Sequence, residues 1–492
     1  MEIKYWAATD VGRKRAHNED NFLVDKNLNL FVVADGMGGH ASGEVASAVA
    51  VQTIRDVIFA ERALLDAFEE DDPGAHIEIS TVLEYAVHAA CAAIFRKAQQ
   101  EPEKRGMGTT VVSLMLVGNR GFIAYVGDSR IYLLRNGTVY PLTEDHSLMN
   151  ELIRSGKLNA EEFAGSPYAN FKNAMTRAVG VHEHVEVDIL DFEVLPGDSF
   201  LLCSDGLYEY LEGSDIAANL ALSDIEDIPG RFIDLANCRG GKDNITALVV
   251  QLPHLPETTG RARELNFTIE TLRRLPLTRQ LSYQQLCKIM TASRMRPFER
   301  HEVISREGTP GGELSVILEG TIRLSREGRE YATMHASQHF GEMDLVDTGD
   351  RTLTATALSD GRMLVIERRD FYDILHRDTH LAVKLLWNLN QELSARLLES
   401  TDGLLKLRSQ LAGQGLDAND FEEVDEVEPD TDETAEITQV KKRGFTEVEI
   451  EVDLDPVDEV EVDVEVEDVD EVDVEVEVED VEEIEVSELE EV

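Results

Sequence analysis

The stretch "TTVVSLMLVGNRGFIAYVGDSRIYLLRNGTVYPL", Thr109 to Leu142, limits the fold of this chain more than any other. Apolar, β-branched runs are separated by the turn pairs Gly118-Asn119 and Asn136-Gly137. Such short turns join antiparallel neighbours, because a parallel return needs a crossover of about a dozen residues or more. An antiparallel sheet is expected, not a βαβ repeat. Strands are read at Leu30–Ala34, Thr110–Val117, Gly121–Val126, Ile131–Arg135, Ser199–Cys203 and Ile245–Gln251. Helices are read at Gly43–Phe59 and Ser80–Gln100, the latter from apolar residues at three- and four-residue spacing.

Several of these strands are bordered by an acid. "FVVADGMGGHASGEVAS" (Phe31–Ser47) runs into Asp35 and then loses its side chains at Gly36, Gly38 and Gly39. Asp35 either opens a tight turn whose glycines supply positive φ angles, or holds a metal or phosphate that must approach the backbone closely. The pattern recurs. "RAHNEDNF" sets Arg15 four residues before Glu19, which adjoins Asp20. "AYVGDSRIY" places Asp128 after a strand, "FLLCSDGLYEY" repeats Asp-Gly at Asp205, and "GGKDNITALVV" puts Asp243 and Asn244 at the entrance to the last strand. Taken singly, each acid reads as a turn residue or a helix cap.

Taken together, they can be aimed at one point. Without a cation their repulsion would force protons onto some of them. Two divalent cations would neutralise them, and hard oxygen donors suit Mg²⁺ or Mn²⁺. Water held between two such cations becomes a nucleophile near neutral pH. Arg15 could hold a phosphate bidentately. Metal-assisted hydrolysis of a phosphate ester fits this set with no other cofactor.

Residues 1–252 closely resemble the metal-dependent serine/threonine protein phosphatases of the 2C type in their bacterial form. The matching motifs are "RAHNEDNF", "VADGMGGHASGEVAS", "GMGTTVV", "VGDSRIYLLR", "LTEDHSL", "TRAVG", "CSDGLYEYL" and "GKDNIT". The resemblance implies an αββα sandwich of two antiparallel sheets flanked by helices, with the metals at one end. It implies that Asp35 bridges both metals and that the Gly36 carbonyl is a ligand. Asp205 and Asp243 would complete one metal shell and Glu19 would hold the other metal. Asp128 would serve a third metal, Asp20 would orient metal-held water, and Arg15 would bind the substrate phosphate. Eukaryotic members often carry a histidine directly after Asp-Gly; Met37 stands there, so the general acid is unassigned, with His17, His40 and His146 lying in motifs. The polar segment 145–180 matches the family's flap, and phosphoserine and phosphothreonine proteins are the implied substrates.

Residues 253–272 read as a linker. A second unit, 273–412, contains "ISREGTPGGELSVILEGTIRLS" and then "HFGEMDLVDTGDRTLTATAL". Glu342 and Arg351 could share one pocket, arginine for a phosphate and glutamate for ribose hydroxyls. The unit resembles the cyclic-nucleotide-binding domain, an eight-stranded β-roll with a C-terminal lid helix, expected over about Asp378–Leu411. Gly341 and Glu342 would then meet the ribose, and Arg351 and Thr352 the cyclic phosphate of cAMP or cGMP. Asp344 stands where the family usually has a small neutral residue, and a carboxylate there opposes an anion unless it points away.

The net charge of −51 is concentrated at one end: 421–492 holds 34 Asp and Glu against 3 Lys and Arg. The tail, 413–492, alternates valine with carboxylate, but like charges on neighbouring strands repel. A disordered acidic tail is expected. It either solvates the chain or docks on a basic partner. No basic stripe points to nucleic acid, no leader or apolar run of about 20 residues points to a membrane, and four scattered cysteines form no CxxC pair. The reading is a cytoplasmic signalling phosphatase of unknown oligomeric state. The rival is a scaffold whose sensor domain and tail recruit partners, with nucleotide binding lost.

Overall fold

The computed structural model describes residues 3–413, apart from 39–41, 71, 156, 159–161, 164, 172–173, 223, 254–258 and 347–348. The acidic tail and His40 lie outside the described residues. Eleven strands build the first half: β1 Lys4–Asp10, β2 Asp20–Asp25, β3 Leu30–Met37, β4 Gly108–Thr109, β5 Val111–Val117, β6 Arg120–Val126, β7 Arg130–Arg135, β8 Thr138–Pro141, β9 Asp188–Glu193, β10 Ser199–Cys203 and β11 Ile245–Gln251. One sheet has the order β1-β11-β10-β7-β8; the other runs β2-β3-β5-β6-β9, with β4 pairing to β3. Every pairing among them is antiparallel.

Period-two alternation assigns each strand residue to a layer. On β3, Phe31 and Val33 enter the core between the sheets, while Leu30, Val32 and Ala34 face helices α1 (Ser42–Ala60) and α2 (Pro73–Gln100). On β11, Leu248 and Val250 point between the sheets; Ile245, Ala247 and Val249 face outward. There they meet α3 (Ile228–Arg239) through Phe232 and Ala236. The result is the expected αββα sandwich. Helix α2 begins seven residues before the apolar spacing announced it, because Asp72 accepts a hydrogen bond from the Gly74 amide and Pro73 occupies the first turn. By length and composition α2 could also cross a membrane; here Ile79, Leu83, Val87 and Ile94 are buried in the core.

The stretch read as a linker is largely a helix, α4 (Thr259–Arg274). Leu265, Ile269 and Leu272 fall on one face and join the buried cluster that also holds Phe192, Phe200 and Val316. Burying each contributes roughly 1.5–3 kcal/mol toward ordering the segment. A short helix, α5 (Tyr283–Thr291), follows, with a capping box between Ser282 and Gln285. Then comes an eight-stranded β-roll: β12 Arg294–Phe298, β13 Val303–Ser305, β14 Glu313–Glu319, β15 Thr321–Arg326, β16 Arg329–His335, β17 His339–Phe340, β18 Thr354–Ala357 and β19 Gly361–Glu367, in sheets β12-β19-β14-β17 and β13-β18-β15-β16. Helix α6 (Arg368–Arg377) and the long α7 (Thr379–Gly413) close it, Leu381, Leu385 and Leu389 packing on Leu314 and Ile366. Sandwich and roll belong to one compact unit, Met1–Lys406. Their apolar cores merge: Tyr283, Leu286 and Val316 join Phe192 and Phe200 in a single buried cluster.

Candidate active site

Both sheets deliver acids to the same end of the sandwich. Asp20 opens β2 and stands opposite Asp35 on β3. Asp205 follows β10, and Asp243 precedes β11. Asp128 lies between β6 and β7. Their convergence is visible in their ionisation. Burial pushes the Asp35 carboxyl well above its ordinary value, and the charges of Asp20, Asp205, Asp128 and Asp243 push it further. Burial, then Asp128, Asp243 and Asp20, raise Asp205 to about 7. Burial raises Asp20 to about 6, its hydrogen bonds to Thr246 and Ser204 opposing the rise. Asp128 also reaches about 6, through burial and the charge of Asp145.

The glycines answer the question raised by the Asp35 stretch. A Cβ on Gly36 would stand 2.1 Å from the Gly43 carbonyl oxygen and 2.6 Å from that of Glu19. One on Gly43 would meet the Glu19 carboxyl carbon at 2.8 Å. Neither residue needs positive φ; both are small so that α1 can close on the strand end. The Glu19 carboxylate is thereby lodged at the start of α1, where a helix favours negative charge. Asn244 completes the frame: its Oδ1 accepts from the Glu19 amide at 2.9 Å, and its Nδ2 donates to the Val11 and His17 carbonyls.

The donor set suits hard cations. Asp20 Oδ2 accepts from Ser204 Oγ at 2.7 Å and from Thr246 Oγ1 at 2.6 Å, while its Oδ1 is buried without a partner. Asp205 Oδ1 is buried and unpartnered too. Unmet buried acceptors are costly, and a divalent cation is one way to meet them. Among the described residues, no three Asp, Glu, His or Cys side chains already close round a single point. Asp243 also pairs with Arg15, Nη2 to Oδ2 at 2.7 Å. Arg15 and Asp243, read from the sequence as a phosphate ligand and a metal ligand, are thus direct neighbours.

Sequence reasoning missed Ser204 and Thr246, although both lie in quoted motifs beside Asp205 and Asn244. Hydroxyls are too common for spacing to single them out. His146 is buried and fully engaged, its Nδ1 accepting from the Gly127 amide at 3.1 Å and its ring stacked on Tyr125. His17 is exposed. Of the flap, the base is pinned by an isolated bridge between Ser147 and Met175, and Tyr168 and Phe171 stand exposed.

In the β-roll, Gly341 has φ +84° and its Cα lies against the Glu313 carbonyl, leaving no room for a Cβ. Glu342 is buried and ion-paired with Arg396 of α7. Arg351 Nη1 meets Asp344 Oδ2 at 3.3 Å and its Nη2 lies 3.7 Å from Glu313 Oε2. Thr352 is exposed. Asp344 therefore does not point away: it faces the arginine expected to hold a phosphate.

Fold and site together define a metal-compatible hydrolase of phosphate esters, and comparison with known proteins gives the same class. Residues 11–241 match the protein phosphatase 2C family and residues 295–378 the cyclic nucleotide-binding domain. The serine/threonine phosphatase stp of Listeria welshimeri is 41% identical over 250 residues, covering 49% of this chain and 93% of that protein. The serine/threonine protein phosphatase PstP of Mycobacterium tuberculosis is 36% identical over 252 residues, 51% of this chain and 45% of that protein. A crystal structure of the PstP catalytic domain in complex with 2 manganese ions is 33% identical, covers 51% of this chain and 98% of that one, and has a TM-score of 0.43. The chain belongs to the protein phosphatase 2C family and is a serine/threonine phosphatase that carries, in addition, a cyclic-nucleotide-binding β-roll.

Proposed function

We propose that the sandwich hydrolyses phosphoserine and phosphothreonine in proteins with two divalent cations, Mn²⁺ or Mg²⁺. Glu19, Asp35, the Gly36 carbonyl, Asp205 and Asp243 would hold them, and Asp128 would serve a third. The observation that carries this reading is the convergence of acids from both sheets with two orphaned carboxylate oxygens. Such cations supply charge neutralisation and a water acidic enough to attack phosphorus near neutral pH.

The protein's own groups then have definable tasks. Asp20, anchored through Oδ2, presents Oδ1 as a fixed acceptor that orients a water. Arg15, half exposed, exchanges the Asp243 carboxylate for two oxygens of the substrate phosphate. Tyr168 and Phe171 offer apolar surface to the flanking peptide. The four cysteines are free, in keeping with a cytoplasmic location. The test is phosphate release from a phosphothreonine peptide by the purified full chain. Release should require Mn²⁺ or Mg²⁺; undiminished release with chelator, or in Asp205→Asn, would overturn the mechanism.

The β-roll is read as a receptor for cAMP or cGMP, the cyclic phosphate displacing Asp344 from Arg351 and the ribose engaging Glu342. A second reading, a docking domain that has lost the nucleotide, draws on the same Arg351–Asp344 pair, since a carboxylate there competes with any anion. Calorimetric titration of the full chain with each nucleotide separates them. Heat that disappears in Arg351→Ala supports the receptor; no heat from folded protein supports the docking domain.

A further inference from the structure

Three buried side chains connect the β-roll unit to the active-site end of the sandwich. Gln284 lies on α5, on the face turned to the sandwich, and its Nε2 donates to Tyr125 Oη at 3.1 Å. Tyr125 Oη donates in turn to Asp188 Oδ2 at 3.1 Å, and its ring stacks on the His146 imidazole, centroids 5.3 Å apart and planes 21° apart. His146 grips Gly127 twice: its amide donates to the Gly127 carbonyl at 2.9 Å, and its Nδ1 accepts from the Gly127 amide at 3.1 Å. Gly127, at φ +102°, is the residue before Asp128. On the other side, the same turn is held by Thr110, whose Oγ1 bonds Ser129 Oγ at 2.7 Å and accepts from the Asp35 amide at 3.0 Å. The His146 carbonyl also accepts from Thr176, at the base of the flap.

We propose that Gln284 is a positioning residue for the phosphatase, acting from the second domain through Tyr125 and His146 to fix the turn that carries Asp128. Three features of the contact support this. Gln284, Tyr125 and His146 are 4%, 1% and 3% exposed, so solvent cannot replace a missing link. A buried glutamine amide is a costly group to place in an apolar interface unless its bond is made. Helix α5 is also tied to α7 and to the residue before it: Lys384 Nζ donates to Gln285 Oε1 at 3.1 Å, and Lys288 pairs with Asp378 at 2.7 Å. Gln284 and Gln285 are adjacent, so the helix that touches Tyr125 is anchored to α7 through the neighbouring residue. The inference rests on the phosphatase reading only in its kinetic arm; an inactive wild-type chain would sink that reading and leave amide exchange to decide this one.

The experiment uses the full chain and four variants. Gln284→Met keeps the volume and removes the donor; Tyr125→Phe removes one hydroxyl; the double variant closes the cycle. Thr291→Ala, which breaks a different hydrogen bond of the same interface, from Arg120 at 3.2 Å, is the control. Hydrogen exchange at Gly127 is read without metal, and kcat and KM are read on a small aryl phosphate with Mn²⁺. Gln284→Met should speed Gly127 exchange about 10-fold and lower kcat about 10-fold at unchanged KM, the range of losses seen when supporting groups are removed. Tyr125→Phe should do the same, and the double variant should be no worse than either. Unchanged Gly127 exchange, additive losses, or equal losses in Thr291→Ala would overturn the proposal. Should Gln284→Met fail to fold, Tyr125→Phe carries the same test with a smaller change.

Discussion

Asp20 and Asp35 face each other directly across β2 and β3, two carboxylates in register at the end of a sheet. Cross-strand like charges destabilise a sheet, and this pair is further crowded by Asp205 and Asp128. The arrangement trades stability for a site.

That trade has a sign. Asp20 and Asp128 are raised to about 6 and Asp205 to about 7. Carboxyls raised in the folded state favour folding while they stay protonated. As pH climbs through 6–7 the folded chain must ionise them against one another, whereas the unfolded chain has ionised them already. Metal-free protein should therefore lose roughly 2–4 kcal/mol between pH 5 and pH 8 from this cluster. Adding Mn²⁺ at pH 8 should restore the loss. Thermal melts across this range check both; a melt that rises with pH without metal would contradict the assignment.

Asp205→Asn separates stability from activity. Without metal at pH 8 it should be more stable than the parent by about 1–2 kcal/mol, and its Tm should no longer rise on adding Mn²⁺. Denaturant titration with and without the cation gives the comparison.

Gly36→Ala tests the close approach of strand and helix. Its Cβ would overlap the Gly43 carbonyl, so α1 must retreat or the strand end must bend. A loss of about 2–4 kcal/mol is expected, measured by urea unfolding. A neutral result would mean that the approach of α1 is not required.

Thr246→Val and Ser204→Ala each remove one of the two hydrogen bonds that anchor Asp20 Oδ2. Each should reduce kcat by about 10-fold, with a smaller change in KM. Steady-state kinetics on a phosphothreonine peptide decide it.

Asp344→Ala should release Arg351 from its pair. If the roll is a receptor, its affinity for a cyclic nucleotide should rise about 10-fold or more, read by calorimetry. An unchanged or weaker affinity would count against the receptor reading.

Much of this was legible in the residue order. The hairpin pairs at Gly118-Asn119 and Asn136-Gly137 specify antiparallel neighbours, because a short turn is a local constraint of backbone geometry. The acids could be named because each sits at a strand edge in a recognisable motif. Other features were decided only by tertiary structure. Whether Asp20, Asp35, Asp128, Asp205 and Asp243 meet depends on two sheets stacking with the same ends together, which no local pattern states. The segment around Leu265 and Ile269 is a helix whose apolar face joins the buried cluster shared by sandwich and roll. Arg15 turns to Asp243, Asp344 to Arg351 and Gln284 to Tyr125 across separations of 228, 7 and 159 residues. Such pairings follow from which charges and donors share a desolvated space, and that is a property of the packed chain rather than of any segment of it.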